Sequence, residues 1–362
     1  MMKRILLAAL TFFALLTVAR GGKTDQVAAP TDASLRAAVE KSLPLLAAGA
    51  RGSVEKRAQC FTCHSQGLTI LALSAAKVRG FKIDEEELRR QVKFTVDFLE
   101  TNRKQYLVGK GQGGQIDTAG YALWALDAAG WKPDATTGAV AEYLLRWQSE
   151  LDYWRPTSRR PPTQQSLFTS THVALYGLKV FGTPEQKERQ ALRFAQVRTW
   201  LLKTPAVDTE DRVFRLRALQ TADAPEAELR KAAQELAQQQ KPDGGWAQNN
   251  TMDTDVYATA TALVVLNEAG GLATTDASYR KGLRYLLEKQ LPDGSWHVVT
   301  RSVPIQTYFE SGYPHGKDQF ISVSAAAWAT TALARALPTT NRPQERGRNP
   351  VGSESRCAAC TR

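Results

Sequence analysis

The chain has 362 residues, of which 43% are hydrophobic and 23% charged. That composition excludes a disordered chain and gives length for a large core. Its formal net charge of +11 suits acidic partners or a peripheral membrane contact, while the lack of a basic run with interleaved aromatics argues against nucleic acid as a partner.

In chain order, Lys3 and Arg4 precede an apolar stretch, Ile5 to Val18, and small residues follow at Thr17-Val18-Ala19. This is the pattern of a secretory signal peptide over residues 1–19, with a linker at 20–32; an uncleaved N-terminal anchor is the alternative. No later segment reaches the ~20 apolar residues of a transmembrane helix. The mature chain is therefore expected in the periplasm or outside the cell, where disulfides and covalent haem both form.

Cys60-Phe61-Thr62-Cys63-His64 is the sharpest chemical signal. Two thiols at this spacing can add to the two vinyl groups of haem, and the adjacent His reaches the iron. The motif predicts haem c, with Cys60, Cys63 and His64 as its attachment residues. A second CxxC, Cys357 and Cys360, lies near the C-terminus without a following His. Cys60, Cys63, Cys357 and Cys360 could instead form a zinc site, or the even cysteine count could form disulfides. For a sixth haem ligand His315, in the polar loop Gly312 to Lys317, is preferred, with His172 and Met252 as other candidates. An isolated His or Met is more often a surface or packing residue.

An internal repeat organises the rest. Leu71 to Gly80, Tyr121 to Gly130, His172 to Gly182 and Thr261 to Gly270 are Ala- and Leu-rich helices closed by Gly. Val213 to Leu219 is a weaker copy and Ser324 to Leu333 a sixth. More amphipathic segments precede them, among them Glu86 to Thr101, Gly138 to Glu150, Glu226 to Gln239 and Tyr279 to Gln290. The predicted fold is all-α, a single (α/α)6 toroid over residues 33–337, with Ala-rich helices inside and amphipathic helices outside. An open superhelical array is the alternative. Two long loops stand out. Trp154 to Pro162 carries Arg155, Arg159 and Arg160, which suit an anionic group, and Arg301 to Phe320 is aromatic and long enough to form a lid. Residues 338–362, rich in Pro, Arg, Gly and Ser, read as a flexible tail.

Lys281 to Trp296, containing Gln290, Asp293, Gly294 and Trp296, resembles the QW motif of squalene-hopene cyclases. Gln240 to Trp246 is a partial second copy. In such a motif Gln bonds backbone groups at a helix end, Asp-Gly makes a tight turn and Trp packs between repeats. The resemblance, to the squalene-cyclase and prenyltransferase repeat class, implies a central apolar cavity for an isoprenoid-like ligand. Family cyclases protonate their substrate from an Asp-x-Asp-Asp motif. Here Asp253-Thr254-Asp255-Val256 lacks the last Asp, so Asp253 and Asp255 are candidate acids or simply helix caps. Protein prenyltransferases hold zinc with Asp, Cys and His, and no Cys lies near the corresponding C-terminal repeats.

Three functions are therefore in view. The first is an exported toroid with covalent haem, serving electron transfer to a redox partner protein or haem-linked ligand binding. The second is an isoprenoid cyclase or transferase using Asp253 or Asp255. The third is a non-catalytic binding scaffold with a zinc or disulfide site.

Overall fold

The computed structural model describes residues 30–57, 60–304 and 307–340. The expected leader, and Cys357 and Cys360 in the tail, lie outside the described residues.

Thirteen helices are present among the described residues. They are α1 (Asp32–Lys56), α2 (Leu68–Lys77), α3 (Glu85–Thr101), the short α4 (Arg103–Leu107), α5 (Gln115–Ala128), α6 (Ala135–Arg146), α7 (Leu167–Phe181), α8 (Lys187–Lys203), α9 (Thr209–Thr221), α10 (Glu226–Ala237), α11 (Val256–Glu268), α12 (Ala277–Lys289) and α13 (Gln319–Arg335). The Ala-rich helices α2, α5, α7, α9, α11 and α13 form the inner layer. Their burial runs round the whole helix: α11 buries every residue from Val256 to Leu266. Small side chains allow that, because they let neighbouring backbones approach. The outer helices bury one stripe instead. α12 buries Tyr279, Gly282, Leu283, Tyr285 and Leu286 and leaves Lys281, Glu288 and Lys289 to solvent.

Each inner helix packs on the next in the order α2, α5, α7, α9, α11, α13, and α13 returns to α2. The ring is closed, so the fold is an (α/α)6 toroid and the open array is excluded.

The Gln-to-Trp segments staple the outer wall. Gln240 Nε2 donates to Gly244 O and to Ser278 O, at 2.9 and 2.8 Å, joining α10 to α12. Gln290 Nε2 donates to Gly294 O and Ala38 O, at 3.0 and 2.8 Å, joining α12 back to α1. Trp246 and Trp296 are fully buried, and their Nε1 atoms donate to Leu236 O and Leu286 O. The turn glycines Gly244 and Gly294 have φ of +88° and +91°. A Cβ on either would lie 2.6 Å from a carbonyl of the next outer helix, Lys281 O or Lys41 O, so only glycine fits. Gln148 and Trp154 keep the same spacing without Asp-Gly, and Trp154 Nε1 likewise donates to Leu144 O, at 3.1 Å.

The connections are unequal. Those leaving the inner helices are short, while those entering them include 57–67, 147–166, 238–255 and 290–318. All long loops therefore share one rim. Two of them meet there, where Ser302 Oγ donates to Pro161 O at 2.8 Å. Among the described residues no helix is long and apolar enough to cross a membrane.

Candidate functional site

The cysteine motif enters this rim through a wide π-helical turn, Cys63–Gly67, directly ahead of α2. Such turns are rare and often lie at functional sites. A buried polar chain holds it. Gln66 Oε1 accepts from Thr62 N at 2.8 Å and Thr62 Oγ1 at 3.0 Å. Gln66 Nε2 donates to Gln91 Oε1 at 3.0 Å, and Gln91 Nε2 donates to Glu87 Oε1 at 2.6 Å. Arg51 completes the chain, donating to Glu87 Oε2 at 2.9 Å. Because every member is satisfied by the next, the turn has a defined position.

Cys63 and His64 line a cavity of about 430 Å³ on the long-loop rim. Leu68, Tyr121, Phe320 and Ile321 supply apolar wall, Arg160 and Lys317 are its basic groups, and Thr300, Ser302, Val303, Pro304 and Tyr308 form the outer side. The ring of His64 stands edge-on to Phe320 at 5.2 Å. Its Nε2 is buried without a hydrogen-bond partner. Burial, then Arg160 and Arg57, push the imidazole down to about 3, so it is neutral. Cys63 Sγ lies 3.6 Å from Asp117 O; burial, then Asp117, push its thiol up to about 12. Cys60, half-buried, precedes the turn, and both thiols are free.

Behind this wall the ring centre holds two carboxylic acids on inner helices. Asp117 on α5 accepts from Ser170 Oγ at 2.6 Å, and burial pushes it up to about 6. Glu210 on α9 accepts from Thr169 Oγ1 at 2.8 Å and Tyr257 Oη at 3.0 Å, and burial pushes it up to about 8. Either one, read from sequence, is merely an acidic residue in a helix's first turn.

The other sequence candidates lie apart from this cavity. His315 meets Ser295 Oγ at 2.9 Å and stacks on His297 at 4.7 Å, outside the cavity lining. His172 sits midway along α7, packed against Trp124, and lines a different cavity at the opposite rim. Met252 and the exposed Asp253 fall in the turn before α11 and line neither cavity. Asp255 caps α11, accepting from Ala258 N at 2.9 Å. Its Oδ2 is buried without a partner, burial pushes the carboxyl up to about 6, and it too lines neither cavity. No group of His, Cys, Asp and Glu among the described residues could hold a metal ion on its own.

A closed ring of helix hairpins, Gln-to-Trp staples and a rim cavity define a single (α/α)6 toroid. The squalene-hopene cyclase C-terminal domain family model matches residues 177–354. The chain is similar to the structure of the type II terpene cyclase MstE from Scytonema, at 15% identity and a TM-score of 0.53, covering 85% of this chain and 99% of that one. It is also similar to the MstE complex with geranylgeranyl dihydroxybenzoate, its substrate, at 13% identity and a TM-score of 0.51, covering 84% and 99%. A protein from Actinoplanes, at 16% identity and a TM-score of 0.56, covers 84% and 99%. At these identities the likeness is one of fold. No curated protein matches the chain.

Proposed function

We propose that the rim cavity holds a haem c on an exported chain, joined through Cys60 and Cys63 with His64 as the protein ligand to iron. One observation carries this reading. The unpartnered, buried Nε2 of a neutral His64 faces an apolar cavity beside the free thiol of Cys63. A buried polar atom without a partner is costly, and a metal ligand role removes that cost. The apolar wall suits the macrocycle, and Arg160 and Lys317 are the basic groups available to its carboxylates. The haem would supply one-electron redox or small-ligand chemistry. The chain's own part is to fix His64 through the Thr62–Gln66–Gln91 chain, hold the imidazole neutral and keep water out. None of His172, Met252 and His315 lines the cavity, so the reading assigns none of them to the iron. The bound group would serve small-ligand binding or transfer of electrons to a redox partner.

Export of the full chain alongside a cytochrome c maturation system tests this. Haem stain should follow the protein band on a denaturing gel, and Cys60→Ser together with Cys63→Ser should abolish it. An unstained wild-type band would remove the reading.

A second reading keeps the cavity for an isoprenoid-like ligand and gives the chain cyclase-type chemistry. The likeness in fold to type II terpene cyclases favours it, although Asp255, which lines neither cavity, is not placed to protonate a ligand there. It predicts a cyclised product from a polyprenyl substrate; an unchanged substrate with the wild-type chain would exclude it.

A further inference from the structure

The opposite rim carries a second cavity, of about 390 Å³, lined by the C-terminal halves of the inner helices. Its walls are Trp124, Tyr176, Trp328 and His172, and its charged groups are Arg79, Arg217, Arg335 and Glu268. Three guanidinium groups thus face one carboxylate. Glu268 is already engaged: Arg217 Nη1 lies 2.6 Å and Arg335 Nη1 2.8 Å from its oxygens. Among the described residues Arg79 has no carboxylate of its own within ion-pair distance, and burial and the nearby Arg335 both lower its pKa.

The hydrogen-bonding inventory is equally lopsided. Arg217 Nε and Nη2, Arg79 Nε and Trp328 Nε1 are all buried without a partner, as are both nitrogens of His172. Arg and Trp side chains can only donate. Arg217 is 6% exposed and Trp328 3%, so bulk solvent does not serve them. Arg217 is nevertheless held firmly, with its guanidinium 5.2 Å from the ring centres of both Trp124 and Trp328. A fixed guanidinium with free N–H groups is a receptor for a planar oxyanion.

We propose that this cavity binds a small organic carboxylate with a flat apolar body, its oxyanion met by Arg79 and Arg217 and its body by Trp124, Tyr176 and Trp328. The aromatic walls shield part of the site from water and so strengthen the charge pairing. The proposal is independent of the cysteine-motif cavity, which lies on the other rim.

Calorimetric titration of the full chain with benzoate tests it, with benzylamine as the cation of similar shape and inorganic phosphate as the anion without an apolar body. Benzoate should bind with a Kd of about 1 mM or tighter and bind better than phosphate, and benzylamine should not bind. Arg79→Gln, which breaks no ion pair with Glu268, should weaken benzoate at least about tenfold, a change of ~1.4 kcal/mol. Cys63→Ser, in the other cavity, should leave the affinity unchanged. No saturable heat with benzoate, equal binding of benzylamine, phosphate binding as well as benzoate, or unaltered affinity in Arg79→Gln would each overturn the assignment.

Discussion

Glu210 gives the most quantitative test of the closed ring. It is 3% exposed, lies among three inner helices and is held at a pKa of about 8 by burial. In the unfolded chain it titrates at the ordinary glutamate value of about 4.5. A carboxyl whose folded pKa is raised binds its proton more tightly when folded. Its contribution is complete below pH 4.5 and is lost as pH rises toward 8. Each pKa unit is worth 1.36 kcal/mol, so the loss across this window is on the order of 5 kcal/mol. Glu210→Gln keeps a neutral side chain of the same shape and removes the titration. Urea unfolding between pH 5 and pH 8.5 should show the variant gaining on the wild type as pH rises, by several kcal/mol at the alkaline end. Asp117 and Asp255, raised to about 6 for the same reason, add the same sign of pH dependence to both proteins and cancel in the difference. Parallel pH profiles would refute the burial of Glu210 at the ring centre.

Three other outcomes follow from the structure. Trp296→Ala empties a fully buried site and removes the bond to Leu286 O, and should cost about 3–5 kcal/mol in denaturant unfolding. Gly294→Ala places a Cβ against Lys41 O at a positive φ and should cost about 1–3 kcal/mol in the same assay. Gln66→Ala leaves Thr62 N and Gln91 Oε1 short of a partner, and should lose about 1–3 kcal/mol of stability. Under the haem reading it should also lower the haem-loaded fraction, measured as visible absorbance per protein, whereas Gln66→Glu, retaining the acceptor, should lower it less.

Much of the toroid is legible in the sequence because its inner helices, the charged α9 apart, are largely apolar on every side, a pattern only a doubly covered layer tolerates. The QW segments add ring closure, since Gln290 reaches back to Ala38. The third Gln-to-Trp segment, Gln148 to Trp154, escapes notice because its turn lacks Asp-Gly, and its Gln bonds Arg155 within the loop rather than the next outer helix. α8 is weakly patterned for a physical reason: it buries only Arg193, Val197 and Leu201. At the site, the cysteine motif is visible at once, yet its support is not. Gln66, Gln91 and Glu87 are ordinary polar residues until α3 packs beside the turn. His172 looks like a helix start, but Ser166 caps the helix earlier, accepting from Phe168 N and Thr169 N, and this puts His172 toward the opposite cavity. Charges such as Asp117, Glu210 and Arg217 acquire meaning only when ring closure removes them from water. No local pattern encodes that step.

The most direct measurement is the reduced-minus-oxidised absorption spectrum of the full chain purified from a periplasm equipped to mature c-type cytochromes. Covalent haem at Cys60 and Cys63 predicts sharp visible bands that persist through denaturation and vanish in Cys60→Ser/Cys63→Ser. A colourless, folded protein would contradict the haem reading and leave the rim cavity to an organic ligand.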